Sequence, residues 1–176
     1  MAEYVQSVET AGTTASTAST ASTASTASTA PPPEARQFDF WLGEWDCTWG
    51  EGERGSNSVR AILGGFVVQE NFNGEPAMPY HGLSISAYSP SLKKWRQTWV
   101  DDAGTYLDFV GEFADGRMVL TRTAVEESTP ALQRMVWYNI ATDTLDWDWQ
   151  RSEDGGATWQ SRWSIHYTRR GETSGQ

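Results

Sequence analysis

Leu145-Asp146-Trp147-Asp148-Trp149-Gln150-Arg151 alternates apolar and polar residues almost without a break. A strand turns successive side chains to opposite faces. A period of two therefore puts Leu145, Trp147, Trp149 and Arg151 on one side and leaves Asp146, Asp148 and Gln150 to solvent. On a helix, Trp147 and Trp149 would stand roughly 200° apart and no apolar stripe would form. Aromatic residues also favour the half-buried surface of a sheet, and this chain of 176 residues carries ten Trp, six Phe and six Tyr.

The same period runs outward in both directions. Trp45, Cys47 and Trp49 alternate with Asp46 and Thr48. Comparable runs cover Ser58–Leu63, Phe66–Phe72, His81–Tyr88, Trp95–Asp101, Tyr106–Phe113, Arg117–Val125, Gln133–Asn139 and Trp159–Thr168. Between them stand turn signals: Gly64-Gly65, Ser89-Pro90, Asp102-Ala103-Gly104, Asp115-Gly116 and the Glu126–Pro130 loop. Phe38-Asp39-Phe40-Trp41-Leu42 is too short for more than one helical turn or a plug. No stretch holds a 3.6 period over three turns. The sequence thus predicts an all-β fold: a single antiparallel up-and-down β-barrel of about ten strands, closed to remove its edges. A two-sheet sandwich is the competing arrangement. A barrel of more than about eight strands leaves room inside for a ligand.

Composition divides the chain. Residues 1–33 hold a five-fold Ala-Ser-Thr repeat from Ala15 to Thr29, followed by Pro31-Pro32-Pro33. Such a segment has almost nothing to bury and cannot offset an ordering cost of about 1–2 kcal/mol per residue. It reads as a disordered tail, with 34–170 as the barrel and 171–176 as a disordered C-terminus. Thirteen basic against 23 acidic residues give a net charge of −10, which argues against nucleic acid and anionic membranes as partners. No apolar run reaches the roughly 18 residues of a membrane span. The one cysteine, Cys47, has no partner for an internal disulfide. With no hydrophobic leader at the start of this sequence, a cytoplasmic location is the expectation.

One turn is specific. Ser152-Glu153-Asp154-Gly155-Gly156-Ala157-Thr158-Trp159 matches the Asp-box pattern S-x-D-x-G-x-T-W at every fixed position. In sialidases this hairpin repeats around a propeller and is structural; here it occurs once, and its expected role is to lock the last hairpin.

Phe38-Asp39-Phe40-Trp41-Leu42-Gly43-Glu44-Trp45-Asp46, then Tyr88-Ser89-Pro90 and Lys94-Trp95-Arg96-Gln97-Thr98-Trp99-Val100-Asp101, resemble a bacterial domain family of unknown function. Gly111-Glu112-Phe113 and Tyr167-Thr168-Arg169 fit the same family. The resemblance covers about residues 37–170 and implies a lipocalin-like, or calycin, β-barrel. Gly43-x-Trp45 is also similar to the G-x-W of lipocalins, in which the tryptophan seals one barrel end beneath a basic residue of the last strand. Arg169 or Arg170 would supply that cap. A shared fold leaves the function open.

No spacing of His, Cys or carboxylates suits a metal, and no cofactor is expected. His166 lies near where haem-binding nitrobindins carry their proximal histidine. If Trp163, Ile165 and Tyr167 point inward together with Trp159, His166 points outward. Cys47 reads as a buried thiol, and no nucleophile elbow or phosphate-binding glycine motif occurs. What remains is a polar set in the lumen. Glu70, Gln97, Asp101 and Arg151 are expected to share a cavity with Trp99, Trp147 and Trp149. The facing of Tyr106–Phe113 is open: Tyr106, Asp108, Val110 and Glu112 suit a polar lumen, and Leu107, Phe109 and Phe113 an apolar one. Ligand-binding candidates are therefore Gln97, Trp99, Tyr106, Trp147, Trp149 and Arg151, and catalytic candidates Asp101 and Glu70.

Three readings follow. The barrel binds one small apolar or aromatic molecule, held by stacking and a few polar groups. Alternatively it is a cofactor-independent cyclase, isomerase or lyase, with a carboxyl raised by desolvation as acid or base. In the third, Arg151 pairs with Glu70 or Asp101 and the lumen is simply packed. A homodimer is compatible with each. Deleting residues 1–33 should leave the melting temperature within about a degree, because only buried apolar surface would contribute more; calorimetry of the truncated chain checks this.

Overall fold

A computed structural model describes residues 30–125 and 131–171. Of the expected disordered tail, 1–33, and C-terminus, 171–176, residues 1–29 and 172–176 lie outside the described residues, while 30–33 and 171 are described and Pro33 opens a 3₁₀ turn. Ten strands follow in chain order: β1 Gly43–Trp49, β2 Glu53–Ile62, β3 Val67–Asn73, β4 His81–Ser89, β5 Lys94–Asp101, β6 Tyr106–Ala114, β7 Arg117–Ala124, β8 Ala131–Tyr138, β9 Thr144–Ser152 and β10 Gln160–Arg169. Each pairs antiparallel with its neighbours in sequence, and β1 pairs with β10 to close a barrel. An even number of strands lets an up-and-down meander close with every pair antiparallel. Closure leaves no edge, so the barrel, not the sandwich, is the fold. No helix among the described residues is long and apolar enough to cross a membrane.

The Phe38–Leu42 segment is the plug. Two 3₁₀ turns, Pro33–Arg36 and Asp39–Trp41, carry it across one end of the barrel. Phe38 packs edge-on against Trp95 and Trp137, with ring centres 4.8 and 5.3 Å away, and Trp41 against Trp137 at 5.1 Å. Phe38, Trp41, Trp45, Trp95 and Trp137 are all buried. Two indoles latch the plug's backbone and side chains: Trp45 Nε1 donates to the Trp41 carbonyl at 2.8 Å, and Trp95 Nε1 to Gln37 Oε1 at 3.0 Å.

Arg169, at the end of β10, is the cap. Its Cζ stands 4.1 Å from the centre of the Trp45 ring. Its guanidinium donates to the carbonyls of Leu42 (2.6 Å), Phe40 (3.2 Å) and Thr142 (2.9 Å). Gly43 makes room: its φ is +130°, and a Cβ there would run into Arg169 Nη1. Arg170 instead pairs with Asp46 on the outer face.

Three departures from the expected facing or burial matter. In β10 the register with β9 shifts between Ser161 and Trp163, a bulge at Arg162. A one-residue slip reverses facing. Trp163, Ile165 and Tyr167 therefore point inward, whereas Trp159 lies outside beneath Arg134, whose Cζ is 3.9 Å from its ring centre. The second concerns Asp148, expected in solvent but 7% exposed. It faces outward yet is covered by neighbours that donate to it: Ser161 at 2.7 Å, Gln150 at 2.8 Å and Tyr138 at 3.3 Å. Burial alone would raise its pKa, but these bonds and one from Ser164 hold it below the ordinary carboxylate value. Phe66, in phase with Val68, Glu70 and Phe72 and so expected inward, sits in the turn before β3 and is exposed.

In the Ser152–Trp159 turn, Asp154 Oδ1 accepts from the Thr158 amide at 2.9 Å and from Ser152 Oγ at 2.7 Å. Ser152 Oγ accepts from the Gly156 amide, and Trp159 Nε1 donates to the Gly156 carbonyl.

Arg169→Met keeps the stem over Trp45 but leaves three carbonyls without their donor. It should cost about 2–4 kcal/mol, on the scale of charge-assisted hydrogen bonds plus a cation–π contact. Urea unfolding should show a lower midpoint with an unchanged slope, and Gly43→Ala should behave alike.

Candidate functional site

Above the plug the lumen stays open as a cavity of about 280 Å³. Its walls come from facing strands: Phe72 of β3, Trp99 of β5, Leu107 of β6, Met135 and Trp137 of β8, Trp147 and Trp149 of β9, and Trp163, Ile165 and Tyr167 of β10. Glu70 of β3 lies at the floor. Tyr80 and Thr105, on loops, and Asp101, at the end of β5, stand at the mouth opposite the plug. Trp163 meets Trp147 and Phe72 at 90° and 89°, so adjoining rings turn faces and edges toward the space. Gly82, paired with Asp101, admits Trp99; a Cβ at Gly82 would collide with its indole.

Glu70 is 5% exposed, and no lysine or arginine is among the cavity's lining residues. Asn57 Nδ2 donates to its Oε1 and Ser84 Oγ to its Oε2, both at 2.6 Å. Gln97 Nε2 extends the network to Ser84 and Ser86, and Asn57 Nδ2 also reaches Tyr167 Oη at 3.2 Å. Desolvation dominates over the two hydrogen bonds and pushes the carboxyl up to about 7. The neighbouring Tyr167 hydroxyl and Cys47 thiol are likewise pushed up, burial being the main cause. Both are neutral near pH 7.

Asp101 differs. It accepts from the amides of Ala103 and Thr105 at 3.0 Å, from Tyr80 Oη at 3.0 Å and from Trp99 Nε1 at 3.3 Å. Burial opposes its charge, but the bonds from Thr105, Tyr80 and Trp99 prevail and hold it below the ordinary value. Asp101 is thus ionised at the mouth while Glu70 titrates near neutrality at the floor.

The remaining expected site residues divide. Trp99, Trp147 and Trp149 line the cavity together. Gln97 shares the inward face of β5 with Trp95 and Trp99 but is not among the lining residues; it is buried and donates to Ser84 and Ser86. Arg151 is not among the lining residues; its Nε donates to Glu153 at 3.2 Å, beyond the rim. Tyr106 is wrong as a ligand contact. Trp99 pairs with Leu107, so the inward face of β6 is Leu107, Phe109 and Phe113, and Tyr106 is 62% exposed. An apolar lumen takes the apolar face.

The family described as protein of unknown function (DUF1579) matches residues 32–169. The chain belongs to the DUF1579 family. No curated protein matches it. The matched span runs from the residue before the first plug turn to the Arg169 cap, so plug, barrel and cap form the DUF1579 unit.

Among the described residues of this DUF1579 barrel, no three His, Cys, Asp or Glu gather as a metal set. His166 faces outward and meets Asp146 at 2.7 Å. Sequence reasoning missed Trp163, Tyr80, Trp137 and Tyr167. Trp163 and Tyr167 stood in the inward set but were not named for the site, Tyr80 lies in a loop with no period to read, and the facing of β8 had no polar-apolar contrast around Trp137.

The raised pKa of Glu70 predicts that the stability of this DUF1579 barrel depends on pH. The folded pKa of Glu70 is raised, so its favourable contribution is complete below about 4.5 and is lost as pH rises through about 7. The difference is on the order of 3 kcal/mol, at roughly 1.4 per pH unit. Wild type should lose stability between pH 5 and 8 relative to Glu70→Gln, as read by urea unfolding at each pH. Equal pH profiles for the two chains would remove Glu70 as the cause.

Proposed function

We propose that the chain binds one small apolar or aromatic molecule inside a lipocalin-like, calycin-type barrel. The observation that carries this reading is a 280 Å³ cavity walled by five tryptophans above a filled plug. That volume equals about nine liquid waters, which suits a one- or two-ring molecule better than a long polyene. Flat indole faces supply area at little entropic cost, and the few polar groups at floor and mouth supply orientation. The cap of Arg169 over Trp45 supports the lipocalin likeness. The single buried thiol suits a reducing compartment and a cytoplasmic setting.

A second reading rests on Glu70. A carboxyl near neutrality, desolvated at the floor of an aromatic cavity, suits proton transfer in a cyclase, isomerase or lyase. Asp101, charged and accepting four hydrogen bonds, is the weaker acid or base. In this reading Glu70→Gln binds substrate but turns it over at least about 100-fold more slowly.

Titration with small aromatic ligands should quench tryptophan emission saturably. Trp149→Ala and Trp99→Ala should each weaken binding by roughly 1–3 kcal/mol, the scale of one stacked aromatic contact and its burial. Unchanged affinity in both variants, or no saturable quenching by any ligand, would overturn the binding reading.

A further inference from the structure

We propose that the cavity selects a cation: an aromatic or compact amine, or a quaternary ammonium, held between the tryptophan walls and the carboxylates of Glu70 and Asp101. This inference rests on the binding reading above and names the chemical class of its ligand.

The argument begins with charge. The cavity's described lining holds two carboxyls and no basic side chain. Arg151 extends from β9 near the rim but pairs with Glu153. A carboxylate or phosphate ligand would therefore meet carboxyls at both mouth and floor, with no basic side chain in the described lining to neutralise it. A neutral apolar ligand would fill the walls yet gain no charge interaction from Glu70 or Asp101. A cation satisfies all three elements. The walls present indole faces, the best aromatic surface for a cation. Asp101, held ionised by four donors, stands where an entering ligand passes first. Glu70 waits at the floor.

The floor is also rich in acceptors. Asn57 Oδ1 and Gln97 Oε1 are buried and accept from no described side chain or amide. Together with the Glu70 oxygens they make the local potential negative. The groups facing Glu70 come from five strands: Cys47 of β1, Asn57 of β2, Ser84 of β4, Gln97 of β5 through Ser84, and Tyr167 of β10. None is a base. The net charge of −10 adds long-range attraction for a cation.

The size fits. An ammonium bearing one ring fills a cavity of 280 Å³ without strain, and the near-perpendicular rings of Trp147, Trp163 and Phe72 provide more than one face to receive it. Entry of a cation also favours the ionised form of Glu70. Binding therefore strengthens from pH 5.5 to pH 8 even for a probe that does not itself titrate.

The test uses the full chain and three probes: benzyltrimethylammonium, its neutral isostere neopentylbenzene, and benzoate. Tryptophan quenching and isothermal titration report binding at pH 5.5 and pH 8. At pH 8 the ammonium should bind at least tenfold tighter than the isostere, and benzoate should not bind. The advantage should shrink several-fold at pH 5.5 and in Glu70→Gln, and separately in Asp101→Asn, which tests the idea should Glu70→Gln fail to fold. If the isostere binds as well as the ammonium, and Trp149→Ala weakens both, the cation class is overturned while the aromatic pocket stands. If the ammonium is preferred but neither carboxyl variant nor pH alters it, the assignment to this cavity is overturned. If no probe quenches the indoles, both the inference and the binding reading fall.

Discussion

One guanidinium holds the closed end of this barrel. Ten strands enclose a lumen wider than their own inward side chains fill, so something must occupy the lower half or admit water along its length. Phe38 and Trp41 occupy it, but they belong to a segment of two short 3₁₀ turns with little hydrogen bonding of its own. Arg169 supplies what the segment lacks. It bonds the carbonyls of Phe40 and Leu42, reaches across to Thr142 and stacks on Trp45. The last strand thus ties down the residues that precede the first. Because β1 and β10 are also partners in the sheet, cap and closure act on the same seam. The cavity exists only above this seal; without it the lumen would be a channel.

The fold was legible because ten strands carry their facing in their own composition. Leu145–Trp149 announces its inner face, and Trp45, Cys47 and Trp49 announce theirs. Pairing each run with the next leaves one economical closure. The tryptophan walls followed, since large aromatics on the inner face of a wide barrel have nowhere else to go. What the sequence hid was of two kinds. Some errors came from local breaks in period: a single bulge at Arg162 moved Trp159 out and left Trp163 in. Others came from groups whose partners alternation alone does not reveal. Asp148 sits on an outward position, yet Tyr138, Gln150 and Ser161 bury it. Arg151 alternates inward, yet it donates to the nearby Glu153. Tyr106 was ambiguous from its own strand and was decided by its neighbour, because Trp99 pairs with Leu107.

The two carboxyls show the same limit in electrostatic form. From sequence, Glu70 and Asp101 are equivalent acids on inward positions. In the fold, Asp101 ends its strand where the next loop turns two amides toward it, and Tyr80 and Trp99 add two more donors. Glu70 sits mid-strand, where its neighbours' amides are spent on the sheet and only Asn57 and Ser84 can donate. Position along the strand, not residue type, separates a permanent anion at the mouth from a group that titrates near pH 7 at the floor.

Stability alone gives no reason for that floor. A leucine or methionine at position 70 would pack against Val59, Val68 and Tyr167 without a desolvation cost, and would free Asn57 and Ser84 to be apolar as well. The barrel instead keeps an acid beneath five tryptophans and supports it with a network that spans five strands. Local choices that oppose stability concentrate where a protein meets its ligand. The plug and cap then have a second consequence. By sealing the lower end so firmly, they let the upper half remain under-filled and acidic, because the cohesion of the domain resides in the other half. The division of one lumen into a packed floor and an open, charged chamber is the physical basis for reading this barrel as a binding site.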